Sequence, residues 1–158
     1  MRFLLFLSLL LPAGFVEAGE LHLVVNGKAY HFDRSKGYNE KNWGAGFEYD
    51  FDRRERWIPL VTGSSFLDSN EQTSNYLGGG AKYRAWGEMD RGWHTDVGLV
   101  AFFMTRKDRN AGRPFFGALP FLSVGTPGVA VNMTFIPKVT PKTSQLLYFQ
   151  VMFRFARF

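Results

Sequence analysis

Nine residues, "WGAGFEYDF" at 43–51, alternate without a break. Trp43, Ala45, Phe47, Tyr49 and Phe51 fall on one face, and Gly44, Gly46, Glu48 and Asp50 on the other. A period of two marks a strand with two unlike faces. The end of the chain repeats the pattern: Val151, Phe153 and Phe155 are apolar, Gln150 and Arg154 stand between them, and the last residue is Phe158. With 17 Phe among 158 residues, such apolar faces would overfill a small core if they all pointed inward. If they point outward, they need a medium other than water.

The rest of the chain divides the same way, with almost no helical periodicity. Extended runs are expected over 21–32, 43–51, 57–69, 76–89, 93–106, 115–125, 129–139 and 145–158, parted by polar or glycine-rich segments such as "DRRER", "NEQTSN" and "TPG". About eight strands, joined by alternating short turns and longer loops, form the pattern of an all-β, eight-stranded antiparallel transmembrane β-barrel of the outer-membrane type. In lipid every backbone group must find a partner, so a sheet can cross only if it closes on itself. The alternative is a soluble lipocalin-like barrel or sandwich with its apolar face inward, because alternation alone does not say which face is wet.

The chain opens with "MRFLLFLSLLLPAGFVEAGE". One basic residue, an apolar run, helix breakers and a small-residue site read as a secretory signal peptide over 1–18, leaving 19–158 as the barrel domain. No later stretch reaches about 18 uninterrupted apolar residues, so no membrane-spanning helix is expected. There is no cysteine, so disulfides do not hold this exported chain together. The net charge of +5 suits an anionic membrane surface, and an export signal argues against nucleic acid as partner.

Little in the sequence announces chemistry. His22, His31 and His94 have no metal-ligand spacing and no cysteine beside them. There is no nucleophile elbow, phosphate-binding loop or basic-aromatic nucleic-acid module. Two places stand out. His31 sits where the first run meets its long loop, and "FLDS" (66–69) sits where the third run meets the next one. Both fall at the same expected end of the barrel. Asp68, Ser69 and His31 could therefore converge, and an imidazole, a carboxylate and a hydroxyl are the ingredients of acyl transfer. The bland reading is that Asp-Ser is an ordinary strand-ending pair whose side chains bond nearby backbone.

Several segments resemble the PagP family of outer-membrane lipid A palmitoyltransferases. "YNEKNWGAGF" (38–47) is similar to its Tyr-Asn-Glu-x-x-Trp-Gly-x-Gly-Phe segment, and "FLDS" to its Phe-x-Asp-Ser. "LPFLSVG" (119–125) and "MTFIP" (133–137) resemble Leu-Pro-x-x-Ser-Val-Gly and Met-Thr-x-Ile-Pro, and "VMFRFARF" resembles the family's ending. Pro120 and Pro137 fall in adjacent expected strands. Proline cannot donate to a ladder, so the pair would open a gap between them. In the family such a gap admits lipid sideways.

The resemblance implies a lipid A acyltransferase with catalytic residues His31, Asp68 and Ser69 and lipid entry at Pro120 and Pro137. His31 would take the proton of the attacking sugar hydroxyl, Asp68 would orient the imidazole, and Ser69 would position or polarise the ester. Arg34, Lys36 and Arg109 on the outer loops would hold lipid phosphates. Partners would be phospholipid and lipopolysaccharide, with no cofactor or metal, in a monomer of the outer membrane. Inward glycines (Gly44, Gly46, Gly78, Gly80, Gly98) are expected either to leave room for an acyl chain or to ease curvature. The sequence departs from the family at several points. No amphipathic helix precedes the first strand. Asn26 and Asn42 replace a second proline pair. His31 fits only with a shortened first loop, since an ungapped alignment puts Val25 there, near His22. "VNGKA" could also be a turn. A non-catalytic barrel and a lipid hydrolase remain as rival readings.

Overall fold

The computed structural model describes residues 18–88, 91–138 and 144–158. All of the expected signal peptide but its last residue lies outside the described residues. Eight strands follow in chain order: β1 (Gly19–His31), β2 (Lys41–Phe51), β3 (Trp57–Leu67), β4 (Thr73–Trp86), β5 (His94–Thr105), β6 (Phe115–Gly125), β7 (Val129–Ile136) and β8 (Leu146–Arg157). Each pairs antiparallel with its neighbours, and β8 returns to β1, so the sheet is a closed barrel. The expected all-β barrel is borne out, strand by strand, within a few residues at each end.

The two ends differ in their connections. The segments 52–56 and 126–128 lie at the same end as Gly19 and Arg157, and 32–40, 68–72 and 106–114 lie at the other. Outer-membrane barrels keep turns on the periplasmic side and their longer loops outside. The first end is therefore the periplasmic one.

Alternation is turned inside out, as a bilayer demands. Leu23, Leu77, Leu99, Phe103 and Phe116 stand exposed on the outer wall. Trp57, Trp86 and Trp93 ring the periplasmic rim, where amphipathic rings sit at headgroup level. Inside, the lower half is ionic. Lys82 Nζ donates to Glu48 Oε1 at 2.8 Å and lies 2.7 Å from Asp50 Oδ2. Arg84 forks onto Asp96, and Arg154 Nη1 donates to Glu20 Oε1 at 3.1 Å. His22 lies 3.6 Å from Glu20 and 3.7 Å from Asp50. Above this floor Asn26, fully buried, accepts from Tyr148 Oη at 2.8 Å and Gln150 Nε2 at 2.7 Å, and donates to Ser64.

Glycine does not leave the interior hollow. A side chain at Gly98 would run into the Phe121 ring. One at Gly117 would stand 2.7 Å from the Phe102 ring, and one at Gly78 2.6 Å from Phe102 Cβ. At Gly46 it would stand 2.5 Å from Ser64 Cβ, and at Gly44 2.6 Å from Phe66 Cβ. These glycines make room for neighbouring rings and closely approaching strands. Of the two expectations for them, the structure favours close packing over an open acyl channel.

Two irregularities shape the upper half. The ladder of β1 slips between Asn26 and Lys28 against β2, and between Asn26 and Ala29 against β8. "VNGKA" is therefore a bulge within β1, not a turn. A bulge inserts a residue and resets which side chains face in. Val24 and Asn26 are buried before it, and Ala29 and His31 after it, while Tyr30 faces out. The second irregularity is a seam. β6 pairs with β7 only from Phe121–Thr134 to Gly125–Ala130, yet β6 continues to Phe115 against β5, and β7 continues to Ile136 against β8. The break falls beside Pro120, and Pro137 directly follows the end of β7.

Candidate active site

The external end gathers residues from three connections. His31 closes β1 with its side chain turned inward by the bulge, and Nε2 lies 3.0 Å from Ser69 Oγ. Tyr38 stacks on the imidazole at 4.8 Å between ring centroids. The His31 backbone N–H donates to Glu40 Oε1 at 3.3 Å. The first loop is tied to the β3–β4 turn: Asn39 N–H donates to the Ser69 carbonyl at 3.0 Å, and Asn39 Nδ2 to the Asp68 carbonyl at 3.2 Å. His31 and Ser69 thus meet because both of their segments are held to one another. His31 Nδ1 is buried with no hydrogen-bond partner among the described residues.

Asp68 is buried, but it faces its own turn. Oδ1 accepts from the backbone N–H groups of Asn70 at 2.8 Å and Gln72 at 3.1 Å. Oδ2 accepts from Ser74 Oγ at 2.9 Å, and Arg106 Nη2 lies 3.6 Å away. This is the behaviour of an Asp that closes a turn by bonding backbone two and four residues ahead. Arg106 is itself clamped to Asp108 at 2.9 and 3.0 Å, and Asn70 reaches Asp108 at 3.0 Å. The carboxylate therefore fixes the segment that carries Ser69 and links it to the β5–β6 loop. The expected contact with the imidazole is taken up by Ser69 instead.

The other histidines are elsewhere. His22 belongs to the ionic floor, and His94 lies 3.8 Å from Asp96 at the same periplasmic end. Val25 faces away from the buried interior row of β1. Among the described residues no cluster of His, Cys, Asp or Glu has the makings of a metal site. The expected phosphate-holding cations sit over rings at the external end: Arg34 at 4.8 Å from Tyr30 of β1, Lys36 at 6.0 Å from Tyr38 of the first loop and Arg109 at 5.9 Å from Phe115 of β6. Sequence reasoning did not foresee Tyr38, Glu40, Ser74 or Arg106. Tyr38 at least stood inside the recognised "YNEKNWGAGF" segment.

A closed eight-stranded barrel with an apolar outer wall is an outer-membrane β-barrel, here with an imidazole–hydroxyl pair at its external mouth. Residues 20–154 match the family described as "PagP: Antimicrobial peptide resistance and lipid A acylation protein PagP", and the chain belongs to that family. Lipid A acyltransferase PagP of Bordetella pertussis is 28% identical over 113 residues, 71% of this chain and 60% of that protein. Lipid A palmitoyltransferase PagP of Escherichia coli is 32% identical over 111 residues, 69% of this chain and 58% of that protein. The chain thus spans about three fifths of the length of these relatives. Among solved structures, the N-terminal β-barrel domain of Pseudomonas aeruginosa OprF is similar at TM-score 0.47 and 12% identity, covering 88% of this chain and 100% of that one.

Proposed function

We propose that this protein moves an acyl chain from a phospholipid to lipid A or a similar glycolipid in the outer membrane. The observation that carries the reading is the contact between His31 Nε2 and Ser69 Oγ, 3.0 Å long, at the external mouth. Family membership supplies the substrate class, through relatives whose names state lipid A acylation.

The chemistry follows from the donors. With Nε2–H donating to Ser69 Oγ, His31 Nδ1 keeps its lone pair. That nitrogen takes the proton of the acceptor hydroxyl as its oxygen attacks the ester carbonyl. The Ser69 hydroxyl donates to the carbonyl oxygen as negative charge develops there. When the tetrahedral centre collapses, the bond to the phospholipid glycerol oxygen breaks, and the imidazolium returns its proton to that oxygen. The products are acylated glycolipid and lysophospholipid. Asp68 is a positioning residue in this scheme and acts through the turn that presents Ser69. Tyr38 holds the ring plane. Lipid enters laterally where β6 and β7 are unpaired, between Pro120 and Pro137. Arg34, Lys36 and Arg109 attract the phosphates. The working form is a monomer, released from its signal peptide after export.

Purified protein with an acyl-labelled phospholipid, with and without lipid A, tests the reading. Label moving to lipid A, and absent from it in His31→Ala and Ser69→Ala, supports transfer. Label appearing as free fatty acid without acceptor would make the protein a hydrolase. No movement from well-folded protein would leave a non-catalytic lipid-binding barrel.

A further inference from the structure

The outer wall is not uniform. On β4 and β5 it carries a groove of about 500 Å³, within the roughly 300–1,000 Å³ typical of small-molecule sites. Gly79, Ala81 and Ala101 form its floor, Leu99 flanks it, and Trp57 and Tyr83 close its periplasmic end as an edge-to-face pair 5.2 Å apart. Small residues make a slot in a wall otherwise studded with large side chains. Its foot meets the turn 52–56, "DRRER". Arg54 is pinned beside Trp57 by a reciprocal pair of backbone hydrogen bonds, each 2.9 Å. Arg56 leans toward the end of β4, donating from Nη1 to the Arg84 carbonyl at 3.3 Å. Arg53 and Arg54 form no side-chain hydrogen bond or ion pair among the described residues. Asp52 is occupied in accepting the Arg53 N–H at 2.9 Å.

We infer that this wall binds one anionic phospholipid of the inner leaflet, its phosphate on Arg54 and Arg56 and an acyl chain lying in the slot over Gly79. Charge complementarity selects the occupant. Basic residues just outside a bilayer attract anionic headgroups, and arginine matches phosphate with paired donors. Trp57 and Tyr83 sit at the height of the glycerol backbone. A second copy of the chain fits poorly, since a twofold interface would set the same arginines against each other. The site lies on the outside of the barrel and does not rest on the proposed acyl transfer.

The test uses the barrel in zwitterionic phosphatidylcholine vesicles doped with phosphatidylglycerol or phosphatidylcholine brominated on the acyl chains. The Trp57 signal is the difference between wild type and Trp57→Phe. Brominated phosphatidylglycerol should quench it at a mole fraction about fivefold or more below that of brominated phosphatidylcholine, the preference expected of even one headgroup arginine. Arg54→Gln with Arg56→Gln should bring the ratio close to one. Gly79→Leu should remove the quenching preference with the arginines intact. A Cβ there has Leu60 O as its nearest neighbour at 3.4 Å, an ordinary contact, so the backbone accepts it. Heat-modifiable gel mobility sets equal folded amounts for each comparison. A ratio near one in wild type overturns the proposal on its own. So does a ratio that persists in both variants, or Trp57 protection that tracks protein-to-lipid ratio as self-association would.

Discussion

The two ends of this barrel handle polar groups in opposite ways. At the periplasmic floor Lys82, Arg84 and Arg154 are each matched to carboxylates inside the barrel, and His22 and His94 lie among the same charges. At the external mouth the ionic groups serve the turns, and the one imidazole facing inward touches a neutral hydroxyl. Near the floor every strand keeps both neighbours, with register slips at Leu21/His22 and Arg84/Trp86, whereas β6 and β7 part toward the mouth. The comparison separates two tasks. Mutually paired charges close one end, while at the other the His31 ring meets a neutral hydroxyl and a carboxylate reaches only its backbone N–H, beside an incomplete sheet.

The largest effect should come from breaking the floor. Lys82→Met removes the cation shared by Glu48 and Asp50 and strands two buried carboxylates. A loss of about 3–5 kcal/mol is expected, read as a fall in the urea midpoint of the heat-modifiable folded form, with lipid A chemistry unchanged in whatever remains folded.

His31→Gln attacks the mouth instead. It keeps a polar side chain on the inward face but removes the base. Acyl transfer should fall by about 10²–10⁴-fold, the usual contribution of a positioned acid–base group, while the protein still folds and migrates as a barrel. Deleting Gly27 should do less to the facing of His31, because it takes out the extra residue of the bulge and leaves Asn26, Ala29 and His31 alternating on the same inward face. Gly27→Ala should be mild, because the nearest atom to a Cβ there is Phe149 O at 3.6 Å.

Ser74→Ala sharpens the role of Asp68. Losing one hydrogen bond to a buried carboxylate should cost about 1–3 kcal/mol, measured by denaturant midpoint. If Asp68 acts through its turn, transfer should fall only in part, with the pH profile of the reaction unmoved.

The smallest effect concerns Asp108 on the β5–β6 loop. Burial alone would push its carboxyl up, but the hydrogen bonds and charge of Arg106 outweigh this and hold it below the ordinary Asp range. A depressed folded value adds stability that is present above the unfolded range near 3.8 and is lost as pH falls through the folded value. Asp108→Asn should therefore flatten an acid-side stability curve below about pH 4, by no more than about 1 kcal/mol as for an exposed pair.

The strands were legible because outward aromatics alternate with inward small or charged residues, as in Trp43–Phe51, and because the chain ends on an alternating strand. The external placement of His31 and the Asp68–Ser69 pair was legible from where the runs stop. The inward turn of His31 was not, since "VNGKA" could be a turn from sequence, and its bulge shows only in the slip of both neighbouring ladders. The floor was half visible: Glu48 and Asp50 declared an inward face, but their partner Lys82 comes from a strand two places away. The glycines misled on space because a hole left at Gly98 is filled by Phe121 of the adjacent strand. Asp68 was placed correctly in the chain but found partners closer at hand, in Asn70, Gln72 and Ser74.

The most direct test of the account is the mass of lipid A from cells expressing wild type, His31→Ala and His22→Ala at matched folded amounts. The account predicts one added acyl mass with wild type and with whatever His22→Ala folds, and none with His31→Ala. Added mass that survives His31→Ala and vanishes with folded His22→Ala would move the chemistry to the floor and contradict it.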